Sequence, residues 1–191
     1  MIKSRRSIRR FKQEPIDIGT LIELVEAGRC APAGGNVQPL EYVIIDQPKI
    51  ISLIFEQLAW AGHVRPKRNP AEEQRPVAYI IVLIDTNIKN VGDQIDAAAA
   101  IENILLAAWS RQIGSCWLGS INRDKIQKIL SIPKHYTIEA VVALGFPTEK
   151  PTMEDCGGDD TRYYLDDNDV LHVPKRPLKK ITHNNKFGKS I

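Results

Sequence analysis

Arg5-Arg6-Ser7-Ile8-Arg9-Arg10-Phe11 opens this chain with four arginines, one hydroxyl and two apolar side chains. Six bases (Lys3, Arg5, Arg6, Arg9, Arg10 and Lys12) precede the first acid, Glu14. The other end mirrors this: Lys175, Arg176, Lys179, Lys180, Lys186 and Lys189 follow Asp169 with no acid among them. The two ends hold twelve of the 26 bases and none of the 23 acids, so residues 14–169 carry a net −9 beneath a formal charge of +3. Basic ends on an acidic body point to an anion held between them. A phosphorylated small molecule is the specific candidate, and a solvated basic tail or a nucleic-acid contact is the bland one.

At 191 residues the chain reads as one domain spanning 1–191, a size that buries roughly 70% of the unfolded surface. Cys30, Cys116 and Cys156 are odd in number and widely spaced. They read as reduced thiols of a cytoplasmic protein. The four histidines lack zinc-ligand spacing, so no metal site is expected. The apolar run Val77–Ile84 is too short to span a membrane. Lys12-Gln13-Glu14-Pro15 stands where a twin-arginine export signal needs an apolar stretch, which argues against export.

Periodicity gives the coarse elements. Asp17 suits an N-cap, and Leu21, Leu24, Val25 and Gly28 fall on one helical face up to Ala31, before Pro32. Ala31–Pro39 is rich in small and turn-forming residues. Glu41–Asp46 reads as a strand and Pro48–Ala61 as a helix. Residues 62–76 read as a long charged surface loop around His63, with room for a short helix. Val77–Asp85 is a strand buried on both faces. A helix from Gly92-Asp93 to Gln112 carries an apolar stripe and the small run Ala97–Ala100, ending at Gly114. Ser115–Ser120 is extended, with Cys116 and Trp117 read as core. Asn122 caps a helix over 123–131, and Ile138–Leu144 is a strand. Alternating helices and strands alone suggest a parallel α/β sandwich.

No G-x-G-x-x-G turn and no G-x₄-G-K-[ST] loop is present, so a phosphate must be held mainly by side chains. Arginine suits this, because its planar fork makes paired, charge-assisted hydrogen bonds. Four segments, in order, then carry a likeness: Arg5–Phe11, Ala31-Pro32 through Asn36-Val37-Gln38-Pro39, Asp96–Ala108 continuing to Gly114–Gly119, and Leu144-Gly145-Phe146-Pro147. Together they resemble the flavin-dependent nitroreductase family along nearly the whole chain.

The resemblance implies an α+β fold in place of the parallel sandwich. A central mixed, mostly antiparallel sheet would be flanked by helices in a homodimer whose C-terminal extension reaches the partner. It implies FMN as cofactor, NADH or NADPH as electron donor, and a flat small-molecule acceptor such as a nitroaromatic or quinone, in ping-pong order. Neither nucleic acid nor membrane is implied as a partner. By similarity, Arg5 and Ser7, with Arg6 beside them, meet the FMN phosphate and ribityl chain, and Arg9 lies at the N1–O2 edge of the ring. Pro32, Ala33, Gly34 and Asn36 come from the other subunit, with Gln38 close by. Leu118 and Gly119 offer backbone N–H groups to N5 and O4. Lys175 and Arg176 close the phosphate site. No side chain is a catalytic nucleophile or base, because the flavin carries the chemistry and Arg9 tunes it. Cys116 is expected to be inert, since apolar surroundings raise a thiol's pKa.

Leu40 stands where the family often has an aromatic residue, and Ala33, Gly34 and Gly35 replace common serines. An acidic insertion, Glu154–Asp169, precedes the basic end. These departures bear on the acceptor more than on the cofactor. A flavin-fragmenting synthase and a non-catalytic flavin-binding protein are the rival readings.

Overall fold

The computed structural model describes residues 1–62, 64, 69–88, 92–158 and 160–189. His63 and residues 65–68 of the long loop lie outside the described residues. The chain divides into two compact units, Met1–Trp60 with Asn69–Glu149, and Ala61–Arg68 with Lys150–Ile191.

The first unit contains a four-stranded sheet with helices on both faces. Its strands are β1 (Leu40–Ile45), β2 (Ala78–Asp85), β3 (Gly114–Leu118) and β4 (Tyr136–Gly145), in the order β1-β2-β4-β3. Every pair among them is antiparallel: Val43 faces Ile81, Ile81 faces Val141, and Cys116 faces Ala143. The parallel sandwich suggested by periodicity is therefore wrong. A strand covered on both faces is apolar throughout whichever way it runs, so its sequence carries no direction.

Successive side chains of a strand point to opposite faces, and two cores result. On one face Ile80, Val82, Val142 and Leu144 pack against Leu21 and Leu24 of α1 (Ile18–Arg29) and Ile101, Ile104 and Leu105 of α3 (Asp93–Ser110). On the other, Tyr79, Ile81, Val141 and Cys116 pack against Ile51, Ile54 and Phe55 of α2 (Pro48–Phe55) and Ile126 of α4 (Arg123–Ile129). The caps fall where the sequence puts them. The Asp17 carboxylate accepts the Thr20 N–H at 3.1 Å, and the Asn122 side chain accepts the Lys125 N–H at 3.2 Å.

Helix α2 stops at Phe55, six residues before the expected Ala61. The chain leaves the helix to pair Leu58 with Ile121. The Ala59 N–H donates to the Ser120 carbonyl at 3.0 Å, and the Asn122 N–H to the Gln57 carbonyl at 2.9 Å. The expected short helix of the long loop is a 3-10 turn, Glu72–Gln74.

The second unit holds a small sheet that periodicity did not reveal: β5 (Thr152–Asp155), β6 (Tyr164–Leu165) and β7 (Leu171–Lys175), in the order β5-β7-β6. Strand β7 runs parallel to β5 and antiparallel to β6. Its strands of two to five residues are too short for alternation to stand out.

Candidate functional site

The Arg5–Phe11 stretch is an extended arm that meets the first unit's sheet where β3 begins and β4 ends. Ser7 pairs with Ser115 of β3 in a parallel bridge, and Phe11 pairs with Pro147 just beyond β4. Each backbone N–H from Ile8 to Lys12 has an acceptor. Ile8 donates to Ser115 at 2.9 Å, Phe11 to Gln74 at 3.0 Å and Lys12 to Phe146 at 2.7 Å. Arg9 and Arg10 both donate to the Glu149 carboxylate, at 2.5 and 3.2 Å.

Two apolar anchors fix the arm's facing. Ile8 and Phe11 are fully buried. They sit over Gly114 and Gly145, which oppose each other across β3 and β4. A Cβ on Gly114 would lie 2.9 Å from Ile8, and one on Gly145 would lie 2.8 Å from Phe11. With those anchors turned inward, Arg5, Arg6, Ser7, Arg9 and Arg10 stay half-buried along the edge.

The same edge brings in the end of β3. Leu118 closes the strand, and a Cβ on Gly119 would meet nothing within 4 Å. Trp117, expected in the core, is 40% exposed. Cys116 and Leu118 take the buried face, and alternation turns Trp117 to the other side at an edge strand. The Ser115 Oγ is buried and has no hydrogen-bond partner among the described residues.

The arm sets like charges side by side and carboxylates against them. Burial, then the neighbouring Arg5 charge, pushes the Arg6 guanidinium below its ordinary value. Arg6 donates to the carbonyls of Arg5 and Lys3. The Arg5 Nε lies 3.5 Å from the Glu102 carboxylate of α3. Burial pushes the Cys116 thiol up, with the Arg9 charge opposing and Glu149 adding to the rise. This matches an inert thiol.

The Ala31–Gln38 loop is a second, separate constellation. Gly34–Asn36 is a 3-10 turn, and Gly35, Asn36 and Gln38 all hold left-handed backbone, with φ of 57°, 57° and 54°. Asp96, in the first turn of α3 and only 7% exposed, holds the loop. Both its oxygens lie near the Gly34 N–H, at 3.0 and 3.2 Å. Pro32, Ala33, Gln38, Tyr42 and Asp96 help line a cavity of about 230 Å³, and burial pushes the Tyr42 hydroxyl up to about 12. Sequence reasoning used Asp96 only as the start of a motif and missed its grip on Gly34. The contact spans 62 residues, so no local pattern announces it.

The arm and the loop engage α3 at different positions. The loop is held at Asp96, whereas the arm meets the helix at Glu102 through Arg5 and at Trp109, whose Nε1 donates to the Ser4 Oγ at 2.9 Å. Glu102 and Trp109 lie six and thirteen positions beyond Asp96, roughly 9 and 20 Å along the axis. Within one chain the arm carrying Arg5, Arg6, Ser7 and Arg9 meets β3 at Ser115, near its start, while Leu118-Gly119 stands at the strand's other end and Pro32, Ala33, Gly34, Asn36 and Gln38 belong to the separate loop held at Asp96. In the second unit Lys175 ends β7 and Arg176 follows it, both exposed.

Residues 2–146 match the model of the Nitroreductase family. The chain belongs to that family. A protein of Archaeoglobus fulgidus provisionally named NADH dehydrogenase/NAD(P)H nitroreductase is 30% identical over 157 residues, covering 78% of this chain and 85% of its own. A crystal structure of a similarly named protein from Parabacteroides distasonis shares the fold, with a TM-score of 0.73, 23% identity, and coverage of 97% of this chain and 96% of its own. A provisionally named nitroreductase of Desulfovibrio desulfuricans, solved in complex with FMN, is 27% identical with a TM-score of 0.67, covering 97% of this chain and 95% of its own. The expected α+β nitroreductase-like fold with an antiparallel sheet is the one observed. Among the described residues, no helix of this nitroreductase-family oxidoreductase is long and apolar enough to cross a membrane.

Proposed function

We propose that this family member binds FMN and moves two electrons from NADH or NADPH to a flat acceptor such as a nitroaromatic or quinone, the two substrates using one site in turn. The observation that carries this reading is the arm along β3. It sets Arg5, Arg6, Ser7 and Arg9 beside the strand that ends at the unobstructed Gly119.

The residues fit the cofactor. Arg5 and Arg6 crowd their charges together at the start of the arm, and a phosphate dianion would relieve that repulsion. The buried Ser115 Oγ, which has no hydrogen-bond partner among the described residues, marks a polar group still to be satisfied beside the arm. The 40% exposed Trp117 and the open space at Gly119 leave room for a planar ring. FMN, when bound, supplies the two-electron chemistry. Arg9 would hold a positive charge that favours the reduced cofactor, and the backbone at Leu118-Gly119 would offer it fixed N–H groups. Small residues at Ala33, Gly34 and Gly35 keep space for the acceptor.

The active species in this reading is a homodimer. The loop, gripped by Asp96, is a separate group from the arm's bridge to Ser115, and by likeness to the family the loop of one chain would complete the site of its partner. Ala97 and Ala100 are buried within the chain, whereas Ala98 and Ala99 are only half-buried and leave a smooth helix face for close packing.

Purified protein tests the proposal. It should be yellow or take up about one FMN per chain, and anaerobic NADH or NADPH should bleach the bound flavin. A colourless protein that ignores micromolar FMN would remove the basis of this function.

A further inference from the structure

Glu149 lies outside every motif considered above, yet it holds the centre of the arm. Its Oε1 accepts the backbone N–H groups of Arg9 and Arg10, at 2.5 and 3.2 Å. The other N–H groups from Ile8 to Lys12 end on backbone carbonyls. Glu149 is therefore a side-chain acceptor for two N–H groups of this stretch, and it is formally anionic. It is carried by the turn after β4, which is itself tied to the arm: the Thr148 N–H donates to the Arg10 carbonyl at 3.0 Å. The Glu149 charge reaches the β3 side of the arm, since it and Arg9 act with opposite sign on the buried Cys116.

A carboxylate in this place has two separable effects. Its lone pairs fix the backbone that aims Arg9, through hydrogen bonds of the stronger, charge-assisted kind. Its charge also opposes the Arg9 guanidinium wherever Arg9 projects its field. We propose that Glu149 is a positioning residue of the flavin site. It locks Arg9 in register and, as a fixed anion, offsets that arginine's preference for reduced over oxidised flavin. This inference rests on the FMN reading above.

Two substitutions separate the effects. Glu149→Gln keeps a carbonyl acceptor for the arm but removes the charge. It should leave the affinity for oxidised FMN near that of the unaltered protein, while the ratio of reduced to oxidised affinity, read from a redox titration of bound flavin, rises about fivefold. An unchanged ratio with flavin bound overturns the charge role. Glu149→Ala removes the acceptor as well. In the protein without flavin, hydrogen exchange at the Arg9 and Arg10 amides should speed at least tenfold. Unchanged exchange overturns the locking role. If the alanine variant does not fold, the glutamine variant still decides the charge role. The exchange measurement needs no flavin, so it separates failure of this inference from failure of the FMN reading itself.

Discussion

Ile8 rests directly on Gly114: a Cβ built on that glycine would stand 2.9 Å from the Ile8 Cβ. The contact is side chain against bare strand, and it decides which way the whole arginine arm faces. Gly114→Ala should therefore push the arm outward. The expected cost is about 1–3 kcal/mol, as for overpacking a tight core site. Chemical denaturation reads the loss, and protease sensitivity near residues 5–12 should increase with it. A variant as stable and as resistant as the unaltered protein would show that the arm is not held by this contact.

Asp96 offers the second handle. Its carboxylate is nearly buried and serves the Gly34 N–H. Asp96→Ala strands that donor, at about 1–3 kcal/mol, and frees a loop whose backbone is already left-handed at three positions. Asp96→Asn retains an acceptor and should keep more of the stability. Thermal unfolding of the two variants compares them directly. Equal losses would mean that the charge, not the hydrogen bond, matters at this site.

Arginine substitutions separate holding the cofactor from tuning it. Arg5→Ala should weaken oxidised and reduced FMN about equally, because the phosphate charge is the same in both redox states. Arg9→Ala should lower the flavin midpoint potential by removing an interaction of about 1.5–3 kcal/mol with the reduced anion. Redox titration of both proteins distinguishes them, and a shift confined to Arg5→Ala would reverse the roles.

The small sheet of the second unit should respond to pH through His172. The Nδ1 lies 2.8 Å from Glu154 and the Nε2 lies 3.3 Å from Asp166, while Tyr164 stacks on the ring and donates to Glu154 at 2.9 Å. Glu154, then Asp166, raises the imidazole above its ordinary 6.5. A raised histidine stabilises fully below its unfolded value and loses that contribution as pH rises through the folded value. Glu154 is lowered, first by His172 and then by Tyr164, so its contribution is lost as pH falls through its folded value. The sheet should be most protected at mildly acidic pH, between those limits. Amide exchange at Val173 across pH 5–9, corrected for intrinsic rates, reads this. His172→Gln should flatten the alkaline side, and an unaltered profile would exclude the cluster.

Assembly is tested on α3. Ala98→Arg or Ala99→Arg places a long cation on the half-buried face of the helix. Light scattering should show dimers in the unaltered protein and fewer in the variants. A folded monomer that retains FMN tightly would contradict a site shared between chains.

Helix starts, the buried strands β2 and β4 and the arginine arm were legible because each is written in neighbouring residues: a cap, an apolar run, a cluster of charge. Four short motifs in order were enough to suggest the family. The sequence by itself could not set strand direction, since β2 is covered on both faces and reads the same either way. Nor could it show α2 ending at Phe55, because the competing partner of Leu58 is Ile121, distant in the chain. Trp117 looked like core and lies exposed, because β3 is an edge strand and only the sheet order reveals an edge. Glu149 and Asp96 were hidden for the same reason. Each is a single carboxylate whose meaning comes from a backbone N–H that folding brings to it, 140 residues away for Arg9 and 62 for Gly34. Local chemistry determined which segments could hold an anion. Long-range hydrogen bonds and close packing, which only the folded chain creates, decided how those segments are aimed.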